Sequence, residues 1–308
     1  MNLKNINIQL TALTLVIFTA AFFKNDPFFL LEETYESAPY LLPDFHAGDV
    51  ESIEIFQNEI KLNHLIKQDS GWVLRGDSAE TEYIADSSKI HANLVQLEKL
   101  RKYYEISENP DRFAEFGLSD RGLKLKVKYS TKESSFYIGN RGTTKGSNLV
   151  RMEKGTTVYS VNANLQGQWK QSRDFFRYNR LINFSVENIL SVNIKKGRNG
   201  YNIVRQNEHW TIQSSSAEFD SENRAKRFFE ELLELKGGNF YYSKNTGKPI
   251  GTITLTYKSS IREKIEFRRI SKELFIVRSD QNPYWQIIPE FKLSGVLPGL
   301  NEFLNKTK

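Results

Sequence analysis

The chain has 308 residues, of which 39% are apolar and 26% charged, so it can form a core of about two domains and is not globally disordered. It contains no cysteine, which excludes disulfides, thiolate metal sites, cysteine nucleophiles and a lipid-modified N-terminal cysteine. The net charge of +6 comes without a dense block of Lys and Arg, which favours a solvated surface over a nucleic-acid-binding one.

The first predicted element is an apolar segment near the N-terminus. Residues 5–23 carry no charge, and Lys4 and Lys24 flank them. This length approaches the ~20 residues that a helix needs to cross a bilayer, so we predict a membrane anchor over residues 1–24. A cleaved signal peptide and a buried core helix are the alternatives. The small charge bias favours an inside N-terminus, which predicts a single-pass protein of the inner (cytoplasmic) membrane with its body on the periplasmic side.

The segment over residues 25–49 is predicted to be a linker. It mixes prolines, acidic residues and large apolar residues. Such a segment could lie along the membrane surface or along the folded body, and the sequence leaves both placements open.

From residue 50 onward one pattern occurs twice, which predicts a tandem duplication with repeats over residues 50–184 and 185–308. Each repeat opens with apolar and polar residues in alternation, VESIEIF and VENILSVNI, as a half-buried strand does. A strand with tryptophan follows in each, at Trp72 and Trp210, 138 residues apart. We assign both tryptophans to the packing of a sheet face.

Each repeat then has a single predicted helix, starting near Asp86 in the first and near Asp220 in the second. The Asp-Ser pair at both starts is suited to capping free backbone N–H groups. Apolar residues at helical spacing predict one buried face on each helix: Ile90, Leu94, Leu97 and Leu100 in the first, and Ala225, Phe228, Phe229, Leu232 and Leu233 in the second.

Strands return after each helix. Alternating segments around Tyr129 and Tyr257 predict hairpins, and a further strand contains Val150 and Arg151 in the first repeat and Val277 and Arg278 in the second. The predicted fold class is therefore α+β: a tandem duplication of a mostly antiparallel sheet with one covering helix per copy, preceded by one transmembrane helix.

Several of these segments resemble the family known as domain of unknown function 4340. They include ISENPDRFAEFGLSD, the strand YIGNR, NLVRMEKGTTVYSV and SRDFFRYNRLINFSVENI. The residues that carry the resemblance are Asn109, Pro110, Phe116, Gly117, Leu118, Ile138, Gly139 and the passage from Arg173 to Arg177. The proline that usually follows Gly-Leu-Asp in the family is missing, because Ser119 to Gly122 stand there.

The resemblance implies a single-span bacterial envelope protein that accompanies an ABC-type export system of the gliding-motility kind. It implies an accessory or scaffold role, with transporter permease and ATPase subunits as partners, and it supplies no catalytic residues. From the residues alone we likewise predict no enzyme, no nucleic-acid partner, no cofactor and no catalytic or metal site. His46, His64, His91 and His209 share no metal-ligand spacing, and the glycine-rich stretch after Gly139 lacks the order of a phosphate-binding loop.

A different class of function stays open at this stage. The body could be a binding module that takes a glycan, lipid or peptide in a cleft between the two repeats. The aromatic residues Tyr241, Tyr242, Tyr284 and Trp285 would be candidates to line such a cleft.

Overall fold

The structure is a computed structural model that describes Thr14 and residues 38–76, 81–142, 144–214, 218–220 and 222–305. Apart from Thr14, the predicted anchor over residues 5–23 lies outside these residues, as does the first part of the predicted linker. Within the described part of the chain, no helix is both long and apolar enough to cross a bilayer. Two compact units divide the chain between Phe176 and Arg177.

The first unit is built on one sheet of nine strands. The strands are β1 (Val50–Gln57), β2 (Ile60–Gln68), β3 (Gly71–Arg75), β4 (Glu82–Ile84), β5 (Tyr104–Ser107), β6 (Leu123–Tyr129), β7 (Lys132–Arg141), β8 (Asn148–Met152) and β9 (Val158–Val161). Helix α1 (Ser87–Glu98) follows β4, and the short helices α2 (Leu165–Trp169) and α3 (Arg173–Phe176) close the unit. The strand order is β4-β3-β2-β1-β6-β7-β8-β9-β5.

The second unit repeats this order with one strand fewer. Its strands are β10 (Ile189–Lys196), β11 (Asn199–Gln206), β12 (His209–Gln213), β13 (Glu218–Asp220), β14 (Lys248–Tyr257), β15 (Arg262–Arg269), β16 (Phe275–Ser279) and β17 (Gln286–Ile288). Its helices are α4 (Glu222–Leu233), α5 (Glu290–Val296) and α6 (Leu300–Asn305). The order β13-β12-β11-β10-β14-β15-β16-β17 matches the first eight strands of the other sheet position by position. The predicted α+β fold with two antiparallel sheets is thereby confirmed.

Strand register repeats as well as strand order. The pairing of β1 with β6 shifts between Val50 and Ser52, and that of β10 with β14 shifts between Ile189 and Ser191. Such bulges add twist to a sheet at a fixed place. Two sheets with the same bulge next to the same central strand pair are what a duplicated unit should show.

The structural equivalence begins further upstream than residues 50 and 185. The Leu41 N–H donates to the Leu100 carbonyl at the end of α1, and the Leu181 N–H donates to the Leu235 carbonyl after α4. Leu41 and Leu42 are buried in the core of the first unit. The described part of the predicted linker, residues 38–49, therefore packs on the folded body.

The predicted helix faces form the inner layer of each core. In the first unit, Ile90, Leu94, Leu97 and Leu100 are all buried, and Asp86 caps α1 by accepting from the Lys89 N–H at 3.1 Å. In the second unit four of the five predicted residues are buried, and Leu233 is half-buried.

Asp220 pairs with Thr211 in the sheet, and α4 starts at Glu222, close to the predicted start near Asp220. Glu222 then does for Trp210 what Ser87 does for Trp72. Each accepts a hydrogen bond from the backbone N–H of its tryptophan, at 2.9 and 3.2 Å.

Candidate functional site

Five of the residues that carry the family resemblance, from Asn109 to Leu118, lie in one lobe on the outer face of the first sheet. The lobe spans residues 108–122, between β5 and β6. Asn109 starts it by accepting from the Asp111 N–H at 3.0 Å, and Phe116 and Leu118 pack on the sheet in a small apolar cluster with Tyr137 and other residues. The motif therefore builds the lobe and seats it on the sheet.

Two glycines let the lobe approach the sheet closely. Gly117 has a φ of +70°, a conformation that favours glycine. A Cβ on Gly139 would lie 2.3 Å from the Phe116 carbonyl oxygen, so only glycine fits there. The Asn140 N–H then donates to that same carbonyl at 2.8 Å.

Arg151 fastens the lobe from the neighbouring strand. Its guanidinium donates to the Leu118 carbonyl at 3.0 Å, to the carbonyl at the end of β8 and to two carbonyls of the turn that follows. It also lies 4.2 Å from the ring centre of Phe113 and 4.5 Å from that of Tyr137. Arg151 is only 6% exposed, and burial lowers the pKa of its guanidinium.

The matching position in the second sheet is Arg278. Ile138 pairs with Val150 in the first unit, and Phe267 pairs with Val277 in the second. The residues on either side of these pairs therefore correspond between the two units. Gly139 therefore corresponds to Arg268, Tyr137 to Glu266 and Arg151 to Arg278. Because Phe267 and Val277 face the core, these three residues of the second unit lie on the outer face of their sheet.

Among the residues that the structure describes, none forms an equivalent of the lobe on the outer face of the second sheet. The segment that joins α4 to β14, residues 234–247, is short and contacts Arg268 through the Thr246 hydroxyl at 2.8 Å. It leaves 41% of the Arg278 side chain exposed. We call this surface the Arg278 face; it consists of Lys264, Glu266, Arg268, Arg278 and Trp285.

The Arg278 face is ordered by a shared carboxylate and an indole ring. The Glu266 carboxylate accepts from Arg268 at 2.7 Å and from Arg278 at 2.9 Å. The two guanidinium carbons lie 5.2 and 4.5 Å from the ring centre of Trp285. An open depression of about 330 Å³ beside them is lined by Lys264, Glu266, Arg278, Ser279, Asp280 and Pro283.

Electrostatics keeps this carboxylate ionised. Burial by itself raises the pKa of Glu266, but the hydrogen bonds and positive charges of Arg268 and Arg278 outweigh burial and hold that pKa below its ordinary value. The face therefore presents two oriented guanidinium groups and an aromatic edge. These are the side-chain types that contribute most to protein–protein interfaces.

Arg177, at the end of the family-like passage, is buried in the second unit. Its guanidinium carbon lies 3.4 Å from the ring centre of Phe240 and 4.6 Å from that of Tyr284, and it donates to the Tyr242 hydroxyl at 2.9 Å. Tyr241, which we considered for a ligand cleft, donates its backbone N–H to the Trp285 carbonyl. Of the four aromatic residues predicted as candidates, Tyr242 and Tyr284 lie against Arg177, and Trp285 lies on the Arg278 face.

The structure does not bring the four histidines together. His46 lies 3.3 Å from Glu98, His64 lies 3.9 Å from Glu54, and His91 and His209 are exposed on different units. Burial lowers the pKa of His64, although the neighbouring Glu54 carboxylate acts in the opposite direction. Among the described residues, no three His, Asp or Glu side chains are placed to hold a metal ion.

Sequence reasoning paired Arg151 with Arg278 but did not identify the face around them. One signal was available. The offset between the repeats falls from 134 residues at the helix start to 128 at the hairpin, so the first repeat has extra residues between these points. Those residues belong to the lobe, and the second repeat lacks them.

No curated protein and no solved structure matches the chain. A family model does match, over residues 44–252, and its description is Domain of unknown function (DUF4340). The match covers the whole lobe, β1 to β13, α4 and the start of β14. It spans more than half of the chain, and the chain therefore belongs to the Domain of unknown function (DUF4340) family.

Proposed function

We propose that this protein is a membrane-anchored, extracytoplasmic accessory or scaffold protein that binds a component of an ABC-type export system through its Arg278 face. The observation that carries the proposal is the difference between two equivalent surfaces. In the first unit the surface around Arg151 is covered by the chain's own lobe, whereas in the second unit the surface around Arg278 is open.

The lobe indicates what kind of surface such a face accepts. In the first unit, the arginine takes main-chain carbonyls, and apolar side chains of the lobe cover the sheet around it. In the second unit, Arg278 and Arg268 are already oriented by Glu266, so a partner would not have to order them. A protein loop with backbone carbonyls, a carboxylate and an apolar side chain fits this chemistry.

Two further considerations support the location and the partner class. The uncharged segment over residues 5–23 has nearly the length of a membrane span, and its charge bias favours a body outside the cytoplasm. The resemblance that we noted in the sequence links the family with gliding-motility-type ABC transporters. The proposed partner surface is therefore an extracytoplasmic part of a permease of that kind.

The test is affinity purification of the tagged full-length protein from its own mildly solubilised membranes, followed by mass spectrometry. We expect the wild type to recover an ABC permease and ATPase in stoichiometric amounts. The double variant R278A/W285A should lose them. Arg198→Ala, at an exposed turn between β10 and β11, is the matched control and should retain them.

The outcomes separate the role from the site. Wild-type protein that purifies without a stoichiometric transporter would refute the accessory role. Equal recovery by wild type and the double variant, with both folded by circular dichroism, would keep the role and refute the Arg278 face as its contact.

A further inference from the structure

Strand β4, at the edge of the first sheet, completes a row of apolar side chains on the face of the sheet that points away from the core. Ile66 pairs with Val73, and Val73 pairs with Ile84, so the three side chains lie side by side across β2, β3 and β4. They point away from the core, because their neighbours Leu65 and Leu74 are buried in it. Ile84, the last of the row, is 48% exposed.

The second unit treats the same position differently. There the matching row is Val204, Thr211 and Asp220, with Val204 opposite Thr211 and Thr211 opposite Asp220. Charged residues on an edge strand are a common means of preventing further strand pairing. Of the two equivalent edges, the one in the first unit has an isoleucine where the other has an aspartate.

The backbone of β4 is oriented for a further pairing at this residue. The Ala85 N–H donates to the Trp72 carbonyl, and the Gly76 N–H donates to the Thr81 carbonyl. In an antiparallel pair, residues alternate between exchanging hydrogen bonds with the neighbouring strand and facing the other way. Ile84 lies between bonded positions, so its N–H and C=O point away from β3, on the side where the sheet order ends.

We propose that β4 accepts an extended segment of a partner polypeptide as an added strand, with an apolar side chain of that segment beside Ile84. Backbone hydrogen bonds to Ile84 would hold the segment, and the row of Ile66, Val73 and Ile84 would select a partner whose outward-facing side chain at this point is apolar. This site is on a different unit from the Arg278 face and does not depend on it.

A foreign segment fits this edge better than a second copy of β4 does. An antiparallel pair of two β4 strands centred on Tyr83 would put Ile84 opposite Glu82, which interrupts the apolar row. A pair centred on Ile84 would put Glu82 opposite Asp86, which brings two carboxylates together. A separate peptide can avoid both conflicts.

The experiment uses full-length protein in mild detergent and a fluorescein-labelled decapeptide in which valine and threonine alternate between terminal lysines. Fluorescence anisotropy should show saturable binding to the wild type. Ile84→Lys should weaken it by about tenfold, because a charged edge residue opposes strand addition. The control Ile60→Lys replaces an isoleucine that is even more exposed, at 66%, but lies at a hairpin end, and it should bind as the wild type does.

A second measurement identifies the strand itself. Hydrogen–deuterium exchange should show that the peptide protects the backbone amide of Ile84. A peptide N-methylated at every second residue can be made in two versions, with the methyl groups on the odd or on the even residues, and only one version should bind. Absence of saturable binding, or equal binding by wild type and Ile84→Lys, would overturn the proposal. Dimerisation that Ile84→Lys abolishes would also overturn it, by assigning the edge to a second copy. The R278A/W285A variant should bind the peptide normally, so the two proposals fail separately.

Discussion

The two units of this chain match on the inner faces of their sheets and differ on the outer faces. Both bury matching residues on the inner face of a sheet with the same strand order and the same bulge. On the outer face, the first unit has Gly139 and a covering lobe, whereas the second has Arg268 and an open surface. The inner face is set by the need to exclude water, and the outer face is free to diverge.

The edge strands of the two sheets also differ, and here the charged residue is in the second unit and the exposed apolar residue in the first. The first sheet ends in Ile84, an exposed apolar residue, and the second ends in Asp220, a charged one. In the two proposals above, this divergence gives one duplicated fold two different binding surfaces, the edge in the first unit and the face in the second.

The largest expected difference between the units concerns the two equivalent arginines. Arg151→Met should lower the stability of the first unit by about 3 kcal/mol, because it removes the Arg151 donor from the buried Leu118 carbonyl. Arg278→Met should cost the second unit less than about 1 kcal/mol, because 41% of the side chain is exposed and its ion pair is screened. Hydrogen exchange on peptides from each unit measures both values. Equal losses would contradict the contrast between a covered and an open face.

Close approach of the lobe provides the next test. Gly139→Ala should destabilise the first unit by about 1–3 kcal/mol, because the new methyl group would collide with the Phe116 carbonyl. Exchange should rise first in residues 108–122, as the lobe detaches from the sheet. Gly48→Ala is the matched control, since its Cβ would meet no atom within 4 Å. An unchanged lobe in Gly139→Ala would show that the close approach is not needed.

The backbone N–H groups of the two tryptophans should respond to a smaller degree. Glu222→Ala should cost about 1 kcal/mol and Ser87→Ala about half of that, because a carboxylate is a stronger acceptor than a hydroxyl. Urea unfolding followed by tryptophan fluorescence measures the difference. Glu234→Ala, an exposed position just after α4, should change stability by less than about 0.5 kcal/mol. A larger effect of Ser87→Ala would reverse the expected order of the two acceptors.

The smallest effect should be a pH dependence of the Arg278 face. The pKa of Glu266 is lower in the folded chain than in the unfolded chain, so its carboxylate stabilises the fold above its unfolded pKa of about 4.3. That contribution is lost as the pH falls through the lower folded pKa. The stability difference between wild type and Glu266→Gln should therefore be present at neutral pH and disappear in acid. Glu273→Gln, at an exposed bend, is the matched control for the substitution itself.

Much of the inner architecture was predictable from periodicity. Buried side chains recur at every second residue in the strands around Tyr129 and Tyr257. In the first helix they recur at helical spacing from Ile90 to Leu100. Those patterns are local, because each follows from the backbone geometry of one element. They were sufficient to predict two antiparallel sheets, each with a covering helix.

The contacts made by the chain just upstream of each predicted repeat were not predictable in the same way. Leu41 and Leu181 are tied to the segments after distant helices by backbone hydrogen bonds, and such bonds leave no periodic trace in the sequence. These contacts depend on residues far along the chain.

The sequence by itself determined that this protein repeats one α+β unit and which side chains form each core, because burial of apolar surface imposes a period that can be read from the order of residues. Tertiary structure alone decided that Arg151 is enclosed and Arg278 open, and that the edge at Ile84 carries an apolar row. The physical reason is that exposure of a side chain depends on what another segment does above it. No property of the residue or of its neighbours in sequence contains that information.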